Sequence, residues 1–449
     1  MLKVLFAASE VAPIAKVGGL GDVAGALPKA LRKLGVDVRL VMPRYRSIIP
    51  VSKLPGSEVP VYYVSSDEFF ERDQVYGYAD DPDRFAYFCK GLLGLTKEAD
   101  FQPDVIHIND YHTSLVPAIL ESEYKNDDYF SKVKTLLTIH NLANQGNHDI
   151  HVLSSAGLNS DSTSDLGEDA RDNDIDMLRD GIDGADMIVA VSPTYSREIL
   201  TKEYGAGLED ALNFRKEDLY GVLNGIDTEV YDPSTDHNLV ANYSADSLEK
   251  RSLNRDALVK QMKIKKPEWP IVGMVSRLVS QKGFDLLLEA QDALVRMEAN
   301  FVVLGVGEKR FEEGLKELEK SGNFYVSLEF NEGKSRKVYA GSDFFLIPSR
   351  FEPCGLTQMV SMRYGSIPIV RKTGGLADTV WEGKNGFVFE KYETDEMSEV
   401  ISRGLKVYQD KDLMTKLQLE GLGEDFSWDK SAKDYVKLYG KLLGEKDVG

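Results

Sequence analysis

The octapeptide Lys16-Val17-Gly18-Gly19-Leu20-Gly21-Asp22-Val23 decides the fold, because it places a glycine turn between an apolar run and a helical pattern. The run, residues 4–8, has the composition of a buried strand. The arrangement recurs as Lys372-Thr373-Gly374-Gly375-Leu376-Ala377-Asp378-Thr379 after the apolar residues 367–370. Paired glycines let backbone N–H groups approach an anion, and the helix N-terminus adds partial positive charge. Two such turns predict two nucleotide-fold domains facing a shared phosphorylated ligand.

The composition limits the class of protein. The chain has 449 residues, enough for two domains of roughly 200 residues each. Its formal net charge of −19 argues against nucleic acid or an anionic membrane as partner. An anionic ligand therefore needs a local cluster of Lys and Arg. No apolar run approaches the roughly 20 residues of a spanning helix, the N-terminal run is too short for a signal peptide, and Cys89 and Cys354 make no disulfide framework. We expect a cytoplasmic protein.

Apolar runs alternate with helical patterns through both halves, which predicts two doubly wound parallel sheets. The predicted strands are residues 4–8, 38–42, 105–108, 135–139, 187–191, 270–275, 301–304, 344–347 and 367–370, with helices at 21–34 and 284–297. We predict a domain boundary after residue 236, a second domain at 237–427, and a C-terminal helix, 428–449, that packs back onto the first domain. Residues 62–88 and 154–176 lack a regular pattern and are predicted to be irregular.

Charged residues follow two predicted strands of the second half, where ligands of such sheets bind. Arg277 and Lys282 follow residues 270–275, a position from which two cations clamp a diphosphate and neutralise a leaving group. Glu352 follows residues 344–347 and would accept hydrogen bonds from sugar hydroxyls. The backbone N–H groups that open the next helix, at Gly355, Leu356 and Thr357, would point at the ligand. From spacing alone, a solvated loop and a helix-capping glutamate stay as alternatives.

Short polar side chains end two predicted strands of the first half. Asp110 and His112 follow residues 105–108, and His140 follows residues 135–139. Such side chains suit hydroxyl recognition and stabilisation of a cationic sugar carbon, although a single histidine is more often a buried structural residue. Their arrival at one sheet edge favours a site. Asn224 stands in an Asn-Gly turn, which either reaches the same site or is only a turn.

These segments resemble the bacterial glycogen synthases and starch synthases, retaining glucosyltransferases of the GT-B architecture. The matching segments are residues 16–23, 107–112, 138–142, 191–195, 223–227, 276–283, 348–356 and 373–379. They cover nearly the whole chain in the family's order. The resemblance implies two Rossmann-like domains facing a central cleft, with residues 1–236 on the acceptor side and 237–427 binding the nucleotide sugar.

The resemblance implies transfer of glucose from ADP-glucose to the non-reducing 4-hydroxyl of an α-1,4-glucan, with retention of configuration, release of ADP and no cofactor. UDP-glucose as donor, or a non-glucan acceptor, is the alternative. The first-domain residues implied to contact donor or glucan are Lys16, Gly18, Gly19, Asp110, His140 and Asn224. The second-domain residues implied to hold the diphosphate or the donor glucose are Arg277, Lys282, Glu352, Cys354, Gly355, Leu356 and Thr357. Phe330 falls where the family places an aromatic ring against the base.

The chain departs from the family pattern after Gln145-Gly146 and in the acidic residues 154–176, which leaves the preferred acceptor open. Val360, eight residues after Glu352, stands where many retaining GT-B enzymes carry a second glutamate. This favours departure of the nucleoside diphosphate with attack by the acceptor from the same face. Asp-x-Asp patterns, as at 81–83 and 174–176, fall in predicted polar loops, so we expect no metal site.

Three rival functions fit parts of the sequence. A dinucleotide oxidoreductase would use Gly19, Gly21 and Gly25 as its fingerprint, but these glycines begin several residues after the strand, and no acidic residue closes the second strand. A catalytically silent glucan-binding scaffold conflicts with the presence of Glu352, Arg277 and Lys282. Another GT-B transferase, one that builds a disaccharide or a decorated lipid, is the nearest rival, and residues 16–23 favour the glucan polymerases over it.

Overall fold

The computed structural model describes residues 1–444. The chain divides into two compact units. The N-terminal unit comprises Met1–Gly225 together with the chain from Ser427 onward, and the C-terminal unit comprises Ile226–Phe426. None of the described helices is both long and apolar enough to cross a membrane.

The N-terminal unit is built on one parallel sheet of seven strands in the order β3-β2-β1-β4-β5-β8-β9. Its strands are β1 Lys3–Ala7, β2 Asp37–Pro43, β3 Val61–Val64, β4 Val105–Asn109, β5 Lys134–Ile139, β8 Met187–Ala190 and β9 Leu219–Gly221. A separate antiparallel pair is formed by β6 Asn147–Asp149 and β7 Asp174–Asp176. The central strands are almost wholly buried, which explains why they are continuous apolar runs in the sequence.

Helices cover the sheet of the N-terminal unit. They are α1 Gly19–Lys33, α2 Asp81–Glu98, α3 Val116–Glu123, α4 Val152–Ser155, α5 Ser164–Asp169, α6 Met177–Gly184, α7 Pro193–Glu198 and α8 Glu209–Phe214. Short 3₁₀ turns lie at Tyr111–Thr113, Ala170–Asp172 and Lys216–Asp218.

The C-terminal unit repeats the same architecture with six parallel strands in the order β12-β11-β10-β13-β14-β15. These strands are β10 Ile271–Val275, β11 Asn300–Leu304, β12 Phe324–Ser327, β13 Phe344–Ile347, β14 Ile367–Arg371 and β15 Phe387–Phe389. The helices are α9 Arg251–Met262, α10 Phe284–Glu289, α11 Gln291–Leu294, α12 Lys309–Leu318, α13 Glu332–Gly341, α14 Thr357–Arg363, α15 Gly374–Thr379, α16 Thr394–Val407 and α17 Lys411–Gly423, with 3₁₀ turns at Ala245–Lys250, Ser280–Lys282 and Glu319–Ser321.

The last described helix, α18 Trp428–Leu442, belongs to the N-terminal unit and packs against α1. Its Tyr435 and Tyr439 are fully buried. The hydroxyl of Tyr439 lies 2.7 Å from Nδ1 of His107 in β4, and Nε2 of His107 lies 2.7 Å from Oγ1 of Thr138 in β5. His107 is therefore a structural residue that ties α18 to the sheet. The predicted helix residues 445–449 lie outside the described residues.

Every predicted strand is confirmed to within one residue or so at each end. Several other expectations differ from the structure. The aromatic stretch 62–88, predicted to be irregular, contains most of β3 and the first turns of α2. The predicted single helix 284–297 is split at Ala290 into α10 and α11. Two of the Asp-x-Asp patterns lie in regular elements, at the start of α2 and in β7, and not in loops.

The division between the units falls after Gly225, ahead of the predicted boundary at Asp236. Asp236 is buried within the C-terminal unit, where the hydroxyl of Tyr364 donates to it at 2.6 Å and the guanidinium of Arg336 lies 3.7 Å away. The polar composition of residues 232–236 thus reflects a buried hydrogen-bonded carboxylate and its turn, which sequence alone cannot distinguish from an exposed linker.

Candidate active site

The C-terminal unit has a topological switch point between β10 and β13, neighbouring strands from which the chain runs outward in opposite directions. Ligands of open parallel sheets bind beyond the carboxyl ends of the strands at such a point. Arg277 and Lys282 follow β10, and Glu352 follows β13. The three residues predicted to carry the chemistry of this half therefore lie on the two loops that flank the switch point.

Lys282 and Glu352 form a partly buried ion pair. Lys282 Nζ donates to Glu352 Oε2 at 2.6 Å, and the hydroxyl of Ser349 donates to the same oxygen at 2.8 Å. Glu352 is only 5% exposed. A carboxylate buried this deeply is costly unless it is paired and hydrogen-bonded, and Lys282 and Ser349 supply the pairing and the hydrogen bond. The two loops approach closely because residue 283 is glycine: a Cβ there would lie 2.1 Å from the carbonyl oxygen of Pro348.

The chain turns sharply after Glu352 before α14 begins. Gly355 has a φ of +71°, a backbone conformation that disfavours other residues. The side-chain amide of Gln358 donates to the carbonyl oxygens of Cys354 and Gly355 and fixes the turn from inside. The N–H groups of the first helical turn have no intrahelical acceptors. The turn therefore presents donors from Leu356 and Thr357 beside the Lys282–Glu352 pair.

The second copy of the glycine motif supports the Glu352 turn. The N–H of Gly375 lies 3.2 Å from the carbonyl oxygens of both Glu352 and Pro353. A Cβ on Gly374 would lie 1.9 Å from the carbonyl oxygen of Glu352, so only glycine permits this approach. We predicted from sequence that this copy would offer its N–H groups to an anion. In the structure the N–H of Gly375 is used within the protein, to hold the loop that carries Glu352.

Two further predicted residues of the C-terminal unit are exposed. The guanidinium of Arg277 makes no hydrogen bond or ion pair with any other residue between 1 and 444. The ring of Phe330 is 84% exposed on the loop after β12, directly before Asn331, which caps α13. An uncommitted cation and an exposed aromatic ring at the carboxyl edge of a parallel sheet suit a ligand with phosphates and a planar base.

The switch point of the N-terminal unit lies between β1 and β4. Asp110 follows β4 with φ +53° and ψ −173°, a region that is costly for a residue with a side chain. Its Oδ1 accepts from the N–H of His140 at 2.7 Å and from that of Asn141 at 3.4 Å. The structure thus brings Asp110 and His140 together across the ends of β4 and β5, and strained backbone of this kind is concentrated at functional sites.

Burial controls the charge of both residues. The pKa of Asp110 is raised to about 7, chiefly by burial and to a smaller extent by the negative charge of Glu10, while hydrogen bonds from His140 and Asn141 oppose the shift. Burial lowers the pKa of His140 to about 3, so its imidazole is neutral at physiological pH. Nε2 of His140 lies 2.8 Å from the amide oxygen of Asn109 and therefore donates to it, which leaves Nδ1 as an acceptor.

Two other polar side chains of this unit have unpaired atoms within the described chain. The amide oxygen of Asn224 is buried and accepts no hydrogen bond from any described residue. Nδ1 of His112 is likewise buried without a partner in the described structure, and burial lowers its pKa to about 3. A buried, unsatisfied polar atom carries a free-energy cost that a ligand's hydroxyl would relieve.

The first glycine motif already contains its own anions. Lys16 Nζ lies 2.7 Å from Asp22 in the same motif. The N–H groups of Val17 and Gly18 donate to Oε2 of Glu10 at 2.5 and 2.8 Å. Sequence analysis missed Glu10. The available signal was a glutamate in the loop after β1, opposite a run of glycines. Across residues 1–444 the structure has no group of three or more His, Cys, Asp or Glu side chains arranged to hold a metal ion.

Comparison with known proteins agrees with this geometry. The family model "Starch synthase catalytic domain" matches residues 3–214, and the model "Glycosyl transferases group 1" matches residues 256–417. The glycogen synthase of Geotalea uraniireducens (strain Rf4) is 42% identical, over 99% of this chain and 100% of that protein. The glycogen synthase of Thermotoga maritima is 41% identical, over 99% of each chain.

Solved structures show the same relationship. The catalytic domain of starch synthase IV from Arabidopsis thaliana, determined with ADP and acarbose bound, superposes with a TM-score of 0.90 at 33% identity and covers 99% of each chain. The sucrose-phosphate synthase of Thermosynechococcus elongatus, at 16% identity, shares the fold with a TM-score of 0.66.

The two parallel-sheet units, the switch-point residues and these matches define a glycosyltransferase of the GT-B architecture. Within that class, the chain belongs to the glycogen synthase and starch synthase family.

Proposed function

We propose that this protein is a glycogen synthase that transfers glucose from ADP-glucose to the non-reducing 4-hydroxyl of an α-1,4-glucan with retention of configuration. Its relatives at 41–42% identity are glycogen synthases, and the starch synthase that superposes on it was determined with ADP bound. The observation that carries the proposal is the partly buried Lys282–Glu352 pair at the C-terminal switch point.

The C-terminal unit binds the donor in this proposal. The diphosphate lies against Arg277, Lys282 and the opening turn of α14, where two cations and a helix N-terminus stabilise the charge that develops as the nucleoside diphosphate leaves. The base stacks on Phe330. Of the two oxygens of Glu352, only Oε2 has partners in the described chain, so Oε1 accepts from the hydroxyls of the donor glucose. The main chain of Cys354 and Gly355 contacts the same sugar.

No carboxylate stands eight residues after Glu352, because that position is Val360. Val360 is buried in α14, and its aliphatic side chain has no nucleophilic atom. Retention then follows from attack by the acceptor hydroxyl on the face from which the diphosphate departs, through a state with oxocarbenium character. The bond between the anomeric carbon and the phosphate oxygen breaks, the new glycosidic bond forms, and the departing diphosphate takes the hydroxyl proton.

The N-terminal unit binds sugar hydroxyls in this proposal. Asp110 and the neutral ring of His140 line the site, and the buried amide oxygen of Asn224 accepts from a hydroxyl. Lys16 and Gly19 of the glycine motif contact the phosphates of the donor or the growing glucan beside them. We assign the N-terminal unit to the acceptor side and the C-terminal unit to the nucleotide sugar, as the resemblance implies.

The test is a product assay with purified protein, maltooligosaccharide as acceptor and either ADP-glucose or UDP-glucose as donor, in the presence of EDTA. We expect chains extended one glucose at a time from ADP-glucose, with the added residues fully digested by β-amylase, which requires α-1,4 linkages. Faster use of UDP-glucose would reassign the donor. Donor consumption without chain extension would instead indicate a different acceptor.

We also propose that the protein works in the cytoplasm. Cys89 and Cys354 are both buried and form no disulfide, which suits a reducing compartment. Fractionation of cells that express a tagged copy, with glycogen-bound and unbound pools measured separately, tests this assignment.

A further inference from the structure

Glu10 occupies a position that the sequence pattern predicted for an external anion. It lies in the loop between β1 and α1 and is almost fully buried. Oε2 accepts from the N–H groups of Val17 and Gly18, at 2.5 and 2.8 Å. The backbone N–H of Gly21 contributes a third interaction. A carboxylate at the N-terminal end of α1 is also stabilised by the helix dipole.

The glycines of the motif are explained by this carboxylate. A Cβ on Gly21 would lie 2.8 Å from Oε2 of Glu10, closer than real Cβ contacts allow. A Cβ on Gly18 would lie 3.2 Å from Oε1. Gly19 differs, because nothing lies within 4 Å of the position that its Cβ would take. Gly18 and Gly21 therefore make room for Glu10, whereas Gly19 faces open space.

The segment that carries Glu10 is itself held from a second side. The hydroxyl of Tyr45 donates to the carbonyl oxygen of Ser9 at 2.7 Å, and the hydroxyl of Tyr76 lies 2.7 Å from the hydroxyl of Ser9. Tyr45 is fully buried and Tyr76 is partly buried. Glu10 is thus held in place by its own segment and binds the glycine loop from a buried position. It is not an exposed side chain that contacts the loop by chance.

We propose that Glu10 is a positioning residue: its carboxylate holds the loop of residues 16–21 in the conformation that presents Lys16 and the N–H of Gly19 to the anionic donor. The inference rests on the proposed function, since it names the nucleotide sugar as the ligand of this loop. Glu10 itself does not touch the substrate. Its negative charge satisfies the N–H groups that face inward, so that the groups facing outward remain for the ligand.

The experiment compares Glu10→Gln with the wild-type protein by hydrogen exchange of the backbone amides and by steady-state kinetics. A glutamine is the same size but lacks the charge and has only one acceptor oxygen, so the amides of Val17 and Gly18 lose their charge-assisted bonds. We expect faster exchange confined to residues 16–21, a KM for ADP-glucose raised about tenfold, and a kcat changed less than about threefold.

Two further variants sharpen the test. Gly21→Ala pushes the carboxylate away without removing it and should reproduce the exchange and the KM of Glu10→Gln. Asp186→Asn is the matched control, because Asp186 accepts from the N–H of Thr135 at 2.8 Å near the amino end of β8 in the same sheet. It should lower thermal stability and leave the KM for ADP-glucose unchanged.

Unchanged exchange at residues 16–21 in Glu10→Gln would overturn the proposal, as would faster exchange with an unaltered KM for the donor. A KM that rises equally in Asp186→Asn would also overturn it, since the effect would then follow stability alone. If the wild-type protein does not use ADP-glucose, the proposed function fails, but the exchange measurement still decides whether Glu10 holds the loop.

Discussion

At the scale of single residues, the C-terminal site depends on a buried carboxylate that pairs with one lysine and accepts a hydrogen bond from one hydroxyl. Glu352 accepts from Lys282 and Ser349 through the same oxygen, and its backbone carbonyl accepts from the N–H of Gly375. The position of the carboxylate is therefore set by neighbours on three separate segments of the chain. Small changes at this residue should alter chemistry more than folding.

Glu352→Gln should retain the folded structure, because glutamine still accepts from Lys282 and Ser349. The turnover number should fall by about two to four orders of magnitude, since the charge facing the donor glucose is lost. Circular dichroism and initial-rate assays measure the two effects. Glu390→Gln is the matched control, because Glu390 pairs with Lys372 at 2.8 Å on the surface of the same unit. An unchanged rate in Glu352→Gln would remove this residue from the mechanism.

Lys282→Ala should lower kcat by at least about a hundredfold, because it removes a cation from the leaving diphosphate. Expressed as free energies, the loss of stability read from the melting temperature should be smaller than the loss of transition-state stabilisation read from kcat. Lys372→Ala, which breaks the exposed pair with Glu390, serves as control and should change neither. A large loss of stability in Lys282→Ala with a nearly normal rate would show that Lys282 is a structural residue.

Asp110 gives the protein a pH-dependent stability that can be isolated by substitution. Its pKa of about 7 in the folded state exceeds the value of about 4 in an unfolded chain. The folded state therefore holds a proton that the unfolded state has lost, so stability is full below about pH 4 and is lost as pH rises through about 7. Relative to Asp110→Asn, the free energy of unfolding should fall by about 1.4 kcal/mol per pH unit across this window.

Thermal unfolding of the wild-type protein and Asp110→Asn between about pH 5 and pH 8 measures this difference. The difference in the free energy of unfolding between the two proteins should change as pH rises and become constant above about pH 7. A constant separation across the window would mean that the Asp110 carboxyl is already ionised at low pH.

At the scale of elements, the loops at the carboxyl ends of parallel strands carry the site, and each loop is fixed by backbone packing. The α14 turn is held by Gln358 and by the second glycine motif, and the loop after β10 is held against Pro348 through Gly283. The loop after β12 differs, because its Phe330 ring projects into solvent. This exposed ring is available to a base.

Phe330→Ala should raise the KM for the nucleotide sugar about tenfold, because stacking on an aromatic side chain contributes about 1–3 kcal/mol per base. The melting temperature should not change, since the ring is exposed. Phe214→Ala is the matched control, because Phe214 is 88% exposed in the N-terminal unit, away from any predicted base contact. Equal KM values for Phe330→Ala and the wild-type protein would exclude base stacking at this position.

The strands were predictable because parallel strands buried on both faces are continuous apolar runs. The strands that escaped prediction are short or lie at sheet edges, as in the three-residue β9 and β15. The positions of Arg277, Lys282 and Glu352 on the loops after β10 and β13 were predictable because strand ends can be read from sequence. Glu10 was not, because its role depends on a close approach to Gly18 and Gly21 that only the folded chain reveals. The strained backbone of Asp110 has no sequence signal either.

At the scale of the whole molecule, the chain repeats one architecture and then returns to the first unit through α18. The return is fixed by burial and by hydrogen bonds: Tyr435 and Tyr439 are enclosed, and the hydroxyl of Tyr439 pairs with His107 inside the sheet. The last helix is therefore part of the core of the N-terminal unit. Loss of α18 should therefore destabilise the N-terminal unit, although the rest of that unit ends at Gly225, far earlier in the chain.

Tyr439→Ala should destabilise the N-terminal unit by about 3–5 kcal/mol, the range for removing a large buried aromatic side chain. Lys437→Ala, on the exposed face of the same helix, should change stability by less than about 0.5 kcal/mol. Hydrogen exchange of β4 and β5 reports the effect in this unit directly. Equal protection of these strands in both variants would show that α18 does not stabilise the sheet.

The central claim is that the Lys282–Glu352 pair drives glucosyl transfer from ADP-glucose to a glucan. The most direct measurement is ADP release by the wild-type protein and by Glu352→Gln, with ADP-glucose, EDTA, and glycogen either present or absent. We predict release by the wild-type protein only when glycogen is present, and a rate lower by about two to four orders of magnitude in Glu352→Gln. Release without glycogen, or equal rates in the two proteins, would contradict the account.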